Sequence, residues 1–287
     1  MQSSTSLSRQ ADQVPSGERR VVMCADDYGM SAGVSDAVLQ LGRQGALSAT
    51  SAMVLSPRWQ EDAQRLAELR GLLDVGLHLD WTSDFAQAAG HGKALGGAMR
   101  RALLGGFNQA AAKTEIERQL DAFEAAWKSA PDHIDGHQHV QQFAGIRQAL
   151  LEVVTRRYGP QFPWLRVSRP AGPRLDFKSK VIAALGANAL TTASRHAGVP
   201  VSPVLSGIYD FDPQAGLYEK HMAQWLADIP DGALLMCHPS TMAESGDEIG
   251  PARVREWAFL QSPAFSDQLK AAGIRLVRGA AVFQELL

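Results

Sequence analysis

Cysteine is nearly absent from this chain. Cys24 and Cys237 are the only two in 287 residues. That excludes a disulfide scaffold and makes a reduced compartment, the cytoplasm, the simpler expectation. Both lie inside apolar runs, VVMCA and ALLMCHP, where they are expected as small buried residues. Alternation along a strand turns Cys237 away from the face that carries His238. Long hydrophobic runs are also missing, and none approaches the roughly 18 residues that a membrane helix needs. The opening stretch MQSSTSLSRQADQVPSGERR has no apolar core of a secretory signal, so a flexible tail over residues 1–18 is expected. Neither sign of charge is in excess. The formal net charge is −2, which indicates neither general nucleic-acid affinity nor a polybasic membrane patch. There is no repeat, no low-complexity tract and no linker that would split the chain. No G-x-G-x-x-G follows the first apolar run, so a dinucleotide-binding open sheet has little support.

What is present is a rhythm. Hydrophobic residues make up 45% of the chain, enough for one large core, and a single β/α barrel typically takes about 250 residues. Apolar runs that read as strands alternate with segments of helical spacing. Strands are expected at 20–25, 49–55, 73–79, 133–136, at WLRVS, at 205–210, at 233–238 and at IRLV. Ser31 is placed to open the first helix, with Val34, Val38 and Leu41 on its buried face. Further helices are expected over 57–70, 146–157, 177–197, at LYEKHMAQWLADI, through Lys270 and at AVFQELL. Thr114-Glu-Ile-Glu117 has the pattern of a capping box for a helix running to about Ser129. Residues 83–113, rich in Ala and Gly, break the rhythm and read as an irregular insertion of the kind that serves as a lid, substrate loop or interface. About eight strands alternating with helices imply a parallel sheet, and the expected fold is a single distorted (β/α) barrel over residues 19–287.

The metal-type residues fall at strand ends. Asp26-Asp27, His78, Asp135-x-His137-x-His139 and His238 each follow a short apolar run, which is how a barrel assembles one site from distant pieces. Each has a structural reading taken singly: a turn or helix cap for the Asp pair, a packed strand-end His for His78 and His238. The Asp135–His139 cluster is denser. Residues two apart share a strand face, and three titratable groups in five residues are costly unless exposed, paired or ligating. Two imidazoles and a carboxylate leave open positions on a cation for water and substrate. A second carboxylate and a spare His would then serve proton transfer. Arg166 and Arg169 also end a strand, where either a rim ion pair or a contact to a polar substrate is open. Trp81, Trp164 and Trp257 are expected in the core, with stacking on a sugar ring as the other option. A two-His–one-carboxylate set also suits a non-haem iron oxygenase, and a catalytically silent metal- or sugar-binding barrel is the non-enzymatic alternative.

ADDYGMSAGVSDAV, VGLHLDWT, HIDGHQHV, MCHPS and REWAFL, in that order over about residues 20–280, resemble the YdjC-like carbohydrate deacetylases. That family includes chitooligosaccharide deacetylases and hopanoid-biosynthesis deacetylases. The resemblance implies a distorted barrel related to polysaccharide deacetylases and a divalent metal, Mg²⁺, although imidazole ligands favour Zn²⁺, Mn²⁺ or Co²⁺ on softness grounds. It implies Asp27, His78 and His137 as metal ligands, Asp26 as base and His238 as general acid. Asp135 and His139 match supporting positions, and Arg166, from its strand end, is the further candidate for a supporting or substrate role. The implied reaction is hydrolysis of an N-acetyl group on an amino sugar or its conjugate. The resemblance also admits a homodimer. The family's first motif usually carries Phe where this chain has Tyr28, and often Asn where it has Ala25. The 83–113 insertion has no clear counterpart.

Overall fold

β1 (Arg19–Tyr28) is the hub of the molecule. Along it run β2 (Ala49–Ala52), β7 (Ala233–Cys237) and β8 (Ile274–Leu276), all parallel to it. The sheet continues through β3 (Asp74–Leu79), β4 (His133–Gly136) and β5 (Trp164–Leu165) on one side and β6 (Leu205–Ser206) on the other, in the order β5-β4-β3-β2-β1-β7-β6. Single bridges, Leu165 to Val201 and Pro170 to Leu205, draw the two edges together into a distorted barrel. β8 pairs only with the first residues of β1. The computed structural model describes residues 17–171, 177–212 and 214–283. Most of the expected N-terminal tail and the end of AVFQELL lie outside those residues.

Alternation divides the apolar residues between two cores. Val21, Met23 and Ala25 face outward, where they pack with helix residues such as Val38 and Leu41. Val22 and Cys24 face inward and join Ala49, Trp164, Leu234, Met236 and Phe283 in the barrel interior. Cys237 belongs to the outer layer, as the alternation required. Both cysteines are free and buried. Trp164 and Trp81 are core residues, and Trp257 is half-buried with its indole N–H on Gln40. No helix among the described residues is long and apolar enough to cross a membrane.

The helices in chain order are α1 (Ala32–Arg43), α2 (Trp59–Leu66), α3 (Asp84–Ala88), α4 (Leu95–Leu103), α5 (Gln109–Trp127), α6 (Ile146–Tyr158), α7 (Phe177–Ala184), α8 (Ala187–Ala197), α9 (Leu217–Asp228), α10 (Gly250–Leu260), α11 (Pro263–Ala271) and α12 (Ala280–Phe283). α1 starts where Ser31 accepts from the Val34 N–H, as expected. Four expectations are corrected. The insertion is not irregular: it holds α3, α4 and the start of α5. The cap of α5 is Asn108, whose side chain accepts from Ala111 N–H, so Thr114 lies inside the helix and bonds back to Ala110 O. The expected 177–197 helix is two, because Gly186 has φ 137° and its backbone lies so close to the Gln142 carbonyl that a Cβ would overlap it. β2, β5 and β6 are shorter than expected. Pro163 and Pro203 flank β5 and β6 and cannot donate to a ladder. Gly207, at φ 96° against the Met236 carbonyl, turns the chain directly after β6.

Candidate metal and acid–base site

The barrel register brings the strand-end residues to one mouth. His78 and Asp135 are direct partners across β3 and β4. Asp26 continues the inward row of Val22 and Cys24. Strict alternation would send Asp27 outward. Instead the β1–β2 register shifts between Ala25 and Tyr28, and Asp27 takes a left-handed backbone with φ 68°. This bulge aims both adjacent carboxylates at the mouth, at a conformational cost of the kind found at functional sites.

Three donors converge. His137 Nδ1 stands 2.9 Å and His78 Nε2 3.3 Å from Asp27 Oδ1, and the three ligand atoms all lie within 4.8 Å of one another. Two ligands held about 2.0–2.2 Å from one ion stand roughly 3.4 Å apart at a tetrahedral angle, so the spacing fits a single cation. The other ring nitrogen of His78 is 2.6 Å from Asp135 Oδ1, the carboxylate–imidazole arrangement that fixes a ligating tautomer. Burial works against charge on His78, but Asp135 and Asp26 outweigh it and push the ring up to about 10. Burial likewise opposes charge on Asp27, yet Arg253 and then His137 hold its carboxyl well below the usual range. The Arg253 guanidinium occupies Asp27 Oδ2 at 2.7 Å and is itself held by Asp247 at 2.7 Å. Only Oδ1 of Asp27 is left facing the two imidazoles.

Asp26 is gripped from behind. Arg166 donates through both terminal nitrogens to its two oxygens, at 2.7 and 2.8 Å, and also lies 3.2 Å from Asp135. Arg166 is fully buried, so neither a rim ion pair nor a substrate contact describes it. Arg169 bonds Asn188 and Thr191 instead. Four carboxylates, Asp26, Asp27, Asp135 and Asp247, thus meet two guanidiniums and the raised His78 imidazole, an excess of one negative charge that suits a cation. His238 sits across from the ligands, with Nε2 3.8 Å from Asp26 Oδ2. Burial lowers its imidazole to about 4. His137 and His238 are the site's partly exposed side chains, at 15% and 13%, so access runs between them.

His139 does not join this group. β4 ends at Gly136, and Gln138 and His139 adopt left-handed backbone inside a 3-10 turn, so strand alternation stops before it reaches them. The His139 ring meets Ser168 at 2.9 Å, and burial and Arg166 keep it well below the ordinary range. Beneath the site, Cys24, His133 and Asp135 also come within ligand distance of each other. Their centre is filled by the Ser51 hydroxyl, which donates to Asp135 at 2.6 Å and lies 3.0 Å from His133 and 3.4 Å from Cys24. Since Ser51 gives its proton to Asp135, His133 donates to Ser51 and is neutral; burial holds it down to about 4. This trio is a hydrogen-bonded support for Asp135, not a second metal site.

Sequence reasoning missed Ser51, His133, Arg253 and Glu256. Arg253 and Glu256 had a legible signal: two charged residues three apart on the face of α10 that also carries Ala252, Phe259 and Leu260. Burial of that face required both charges to have partners.

The sequence pattern of the family described as YdjC-like protein matches residues 20–271. The chain is similar to the carbohydrate deacetylase of Homo sapiens, 28% identical over 90% of this chain and 89% of that one. It is similar to the carbohydrate deacetylase of Geobacillus stearothermophilus, 27% identical over 90% and 96%. The chitooligosaccharide deacetylase of Yersinia enterocolitica is 25% identical over 90% and 97%. Among solved structures, a protein from Enterococcus faecalis V583 named for cellobiose-phosphate cleavage superposes with a TM-score of 0.68 at 19% identity, covering 93% of this chain and 99% of its own. A peptidoglycan N-acetylglucosamine deacetylase superposes at 0.53 with 12% identity, covering 94% and 90%. At these identities the two structures show a shared fold.

Proposed function

The chain belongs to the YdjC-like family, and from that membership and the site's geometry we propose that it is a metal-dependent carbohydrate deacetylase, a hydrolase that removes the N-acetyl group from an amino sugar or its conjugate. The observation that carries this reading is the convergence of Asp27, His78 and His137 opposite Asp26 and His238. Asp27, His78 and His137 would hold one divalent cation, which when bound polarises the amide carbonyl and makes water more acidic. Two imidazoles rank Zn²⁺, Mn²⁺ and Co²⁺ above the Mg²⁺ that the family resemblance implied.

The chain's own residues supply the proton path. Arg166 fixes both oxygens of Asp26, so the carboxylate can turn only as a unit and is presented to the attacking water. Asp26 accepts the water's proton. His238 is neutral at rest, so it must acquire the proton that it later gives to the leaving nitrogen. Asp26 Oδ2, 3.8 Å away, is the nearest source. One proton of the water therefore ends on the departing amine and the other stays on the new carboxyl group, so acetic acid and free amine account for all atoms of amide and water. Arg253 holds Asp27 in place through the oxygen that the imidazoles do not face.

The test is acetate release from a panel of N-acetylated amino sugars, with and without chelator, alongside elemental analysis of the protein. Release that chelator abolishes and one equivalent of divalent metal restores is expected. A metal-loaded protein that releases no acetate from any of them sinks the reading. Iron oxygenase chemistry has no use for a braced second carboxylate and a separate His across the mouth, and Fe(II)-dependent oxygen consumption would be the sign of it.

A further inference from the structure

His238 has an unusual mounting. Among the described residues its Nδ1 is buried with no hydrogen-bond partner, and its Nε2 lies 3.8 Å from Asp26. A proton-transferring imidazole is ordinarily aimed by a bond to its second nitrogen; here nothing of that kind holds the ring. The backbone is held instead. Glu256, fully buried in α10, accepts the His238 main-chain N–H with one oxygen at 2.5 Å and the Tyr209 hydroxyl with the other at 2.6 Å. Glu256 has no ion-pair partner among the described residues. A buried carboxylate without a cation is costly, and this one spends both oxygens on two chain segments.

Those two segments meet at the ring. Tyr209 stands two residues before Phe211, whose ring packs edge-on against His238 at 5.3 Å and against Tyr209 at 4.6 Å. Phe211 has φ 61°, a rare conformation for a bulky residue that persists only where the surroundings enforce it. Glu256 ties the loop after β6 to the end of β7, and Phe211 and His238 are what that tie brings face to face. We propose that Glu256 is the positioning residue of His238: it aims the imidazole through the backbone and, by way of Tyr209, through the Phe211 ring. This rests on the reading of His238 as the acid, and it adds the device that replaces a side-chain bond to the ring.

The test compares Glu256→Ala, Glu256→Gln and Tyr209→Phe in the full-length, metal-loaded protein. Glu256→Ala is expected to lower kcat for amide substrate on the order of 10–100-fold, part of the general-acid contribution, with KM and metal content close to wild type. It should spare hydrolysis of 4-nitrophenyl acetate, whose leaving group needs no proton. Glu256→Gln keeps an acceptor for the N–H and offers its amide to the tyrosine oxygen, so it should recover most of the loss. Tyr209→Phe should fall between. In Glu256→Ala with His238→Ala the losses should not multiply, since both act on one proton transfer. A second arm needs no turnover: the His238 ring signals in ¹⁵N-histidine NMR should move in Glu256→Ala and Tyr209→Phe. Unmoved ring signals, or equal losses on amide and ester together with lost metal, would overturn the proposal. If Glu256→Ala does not fold, Tyr209→Phe carries both readouts. If the wild-type protein releases no acetate, the deacetylase reading falls, while the NMR arm still decides whether Glu256 aims His238.

Discussion

At the scale of the residue, charge placement separates two kinds of carboxylate. Asp27 faces two imidazoles, and Asp26 faces a guanidinium and His238. We therefore predict that Asp26→Asn retains the divalent metal in elemental analysis while losing turnover by roughly 10²–10⁴-fold. His78→Ala should lose metal and turnover together. Full metal content in His78→Ala, or metal loss in Asp26→Asn, would reverse the assignment. Arg166 is predicted to be a larger stability determinant than any surface ion pair, because it neutralises Asp26 and Asp135 in the barrel interior. Arg166→Met leaves both carboxylates buried without their cation. Chemical denaturation should show a loss of about 3–5 kcal/mol; a change below about 1 kcal/mol would mean that water reaches the pair.

At the scale of the element, the start of α5 tests how a helix is opened. Asn108 is predicted to be the cap and Thr114 an interior residue. Asn108→Ala should cost about 0.5–2 kcal/mol, whereas Thr114→Ala should be nearly neutral or slightly stabilising, since alanine is the better helix former. The reverse ranking in thermal melts would restore the capping box. The 83–113 segment is pinned at both ends, by Lys93 N–H on the Trp81 carbonyl and Phe107 N–H on the Ala144 carbonyl. It lies directly after β3, at the active-site end, and Lys93, Arg100 and Arg101 line one groove in it. Replacing residues 84–106 with a short linker is predicted to change kcat/KM ratios across acetylated substrates while leaving metal content intact. Unchanged ratios on every substrate would remove the segment from substrate selection.

At the scale of the whole molecule, the catalytic candidates gather at the barrel mouth, and a buried acid stands near the opposite end. Asp74, at the start of β3, accepts from the Trp164 indole and from the Ala280 N–H, which ties the strand to the C-terminal segment. Burial, with Asp132 adding to it, pushes Asp74 up to about 6 from 3.8. An acid raised in the folded state costs nothing while protonated in both states, below 3.8. The cost grows as pH rises towards 6 and is constant above, at about 3 kcal/mol for a shift of this size. Asp74→Asn keeps an acceptor oxygen and removes the charge. Its stability relative to the parent should rise between pH 4 and pH 7 in denaturation experiments. A difference that does not vary with pH would show that Asp74 titrates normally.

The sequence by itself determined the barrel's rhythm, the strand-end placement of Asp26, Asp27, His78, His137 and His238, and the family. Those follow from local periodicity and from short motifs, and each survives in the structure because a parallel β/α chain delivers every strand end to the same face. Only the tertiary structure decided which groups touch. Arg166 stood out as a strand-end residue but its partner did not, and Glu256 read as an ordinary charged residue, because their partners are remote: Arg166 is 140 positions from Asp26, and Glu256 is 47 from Tyr209. His139 was expected to face the same mouth as His137 because alternation was carried past Gly136, where the backbone turns left-handed. The bulge that swings Asp27 to the mouth came from a shifted register between β1 and β2. Register is set by pairing between strands, and no single stretch of chain encodes it.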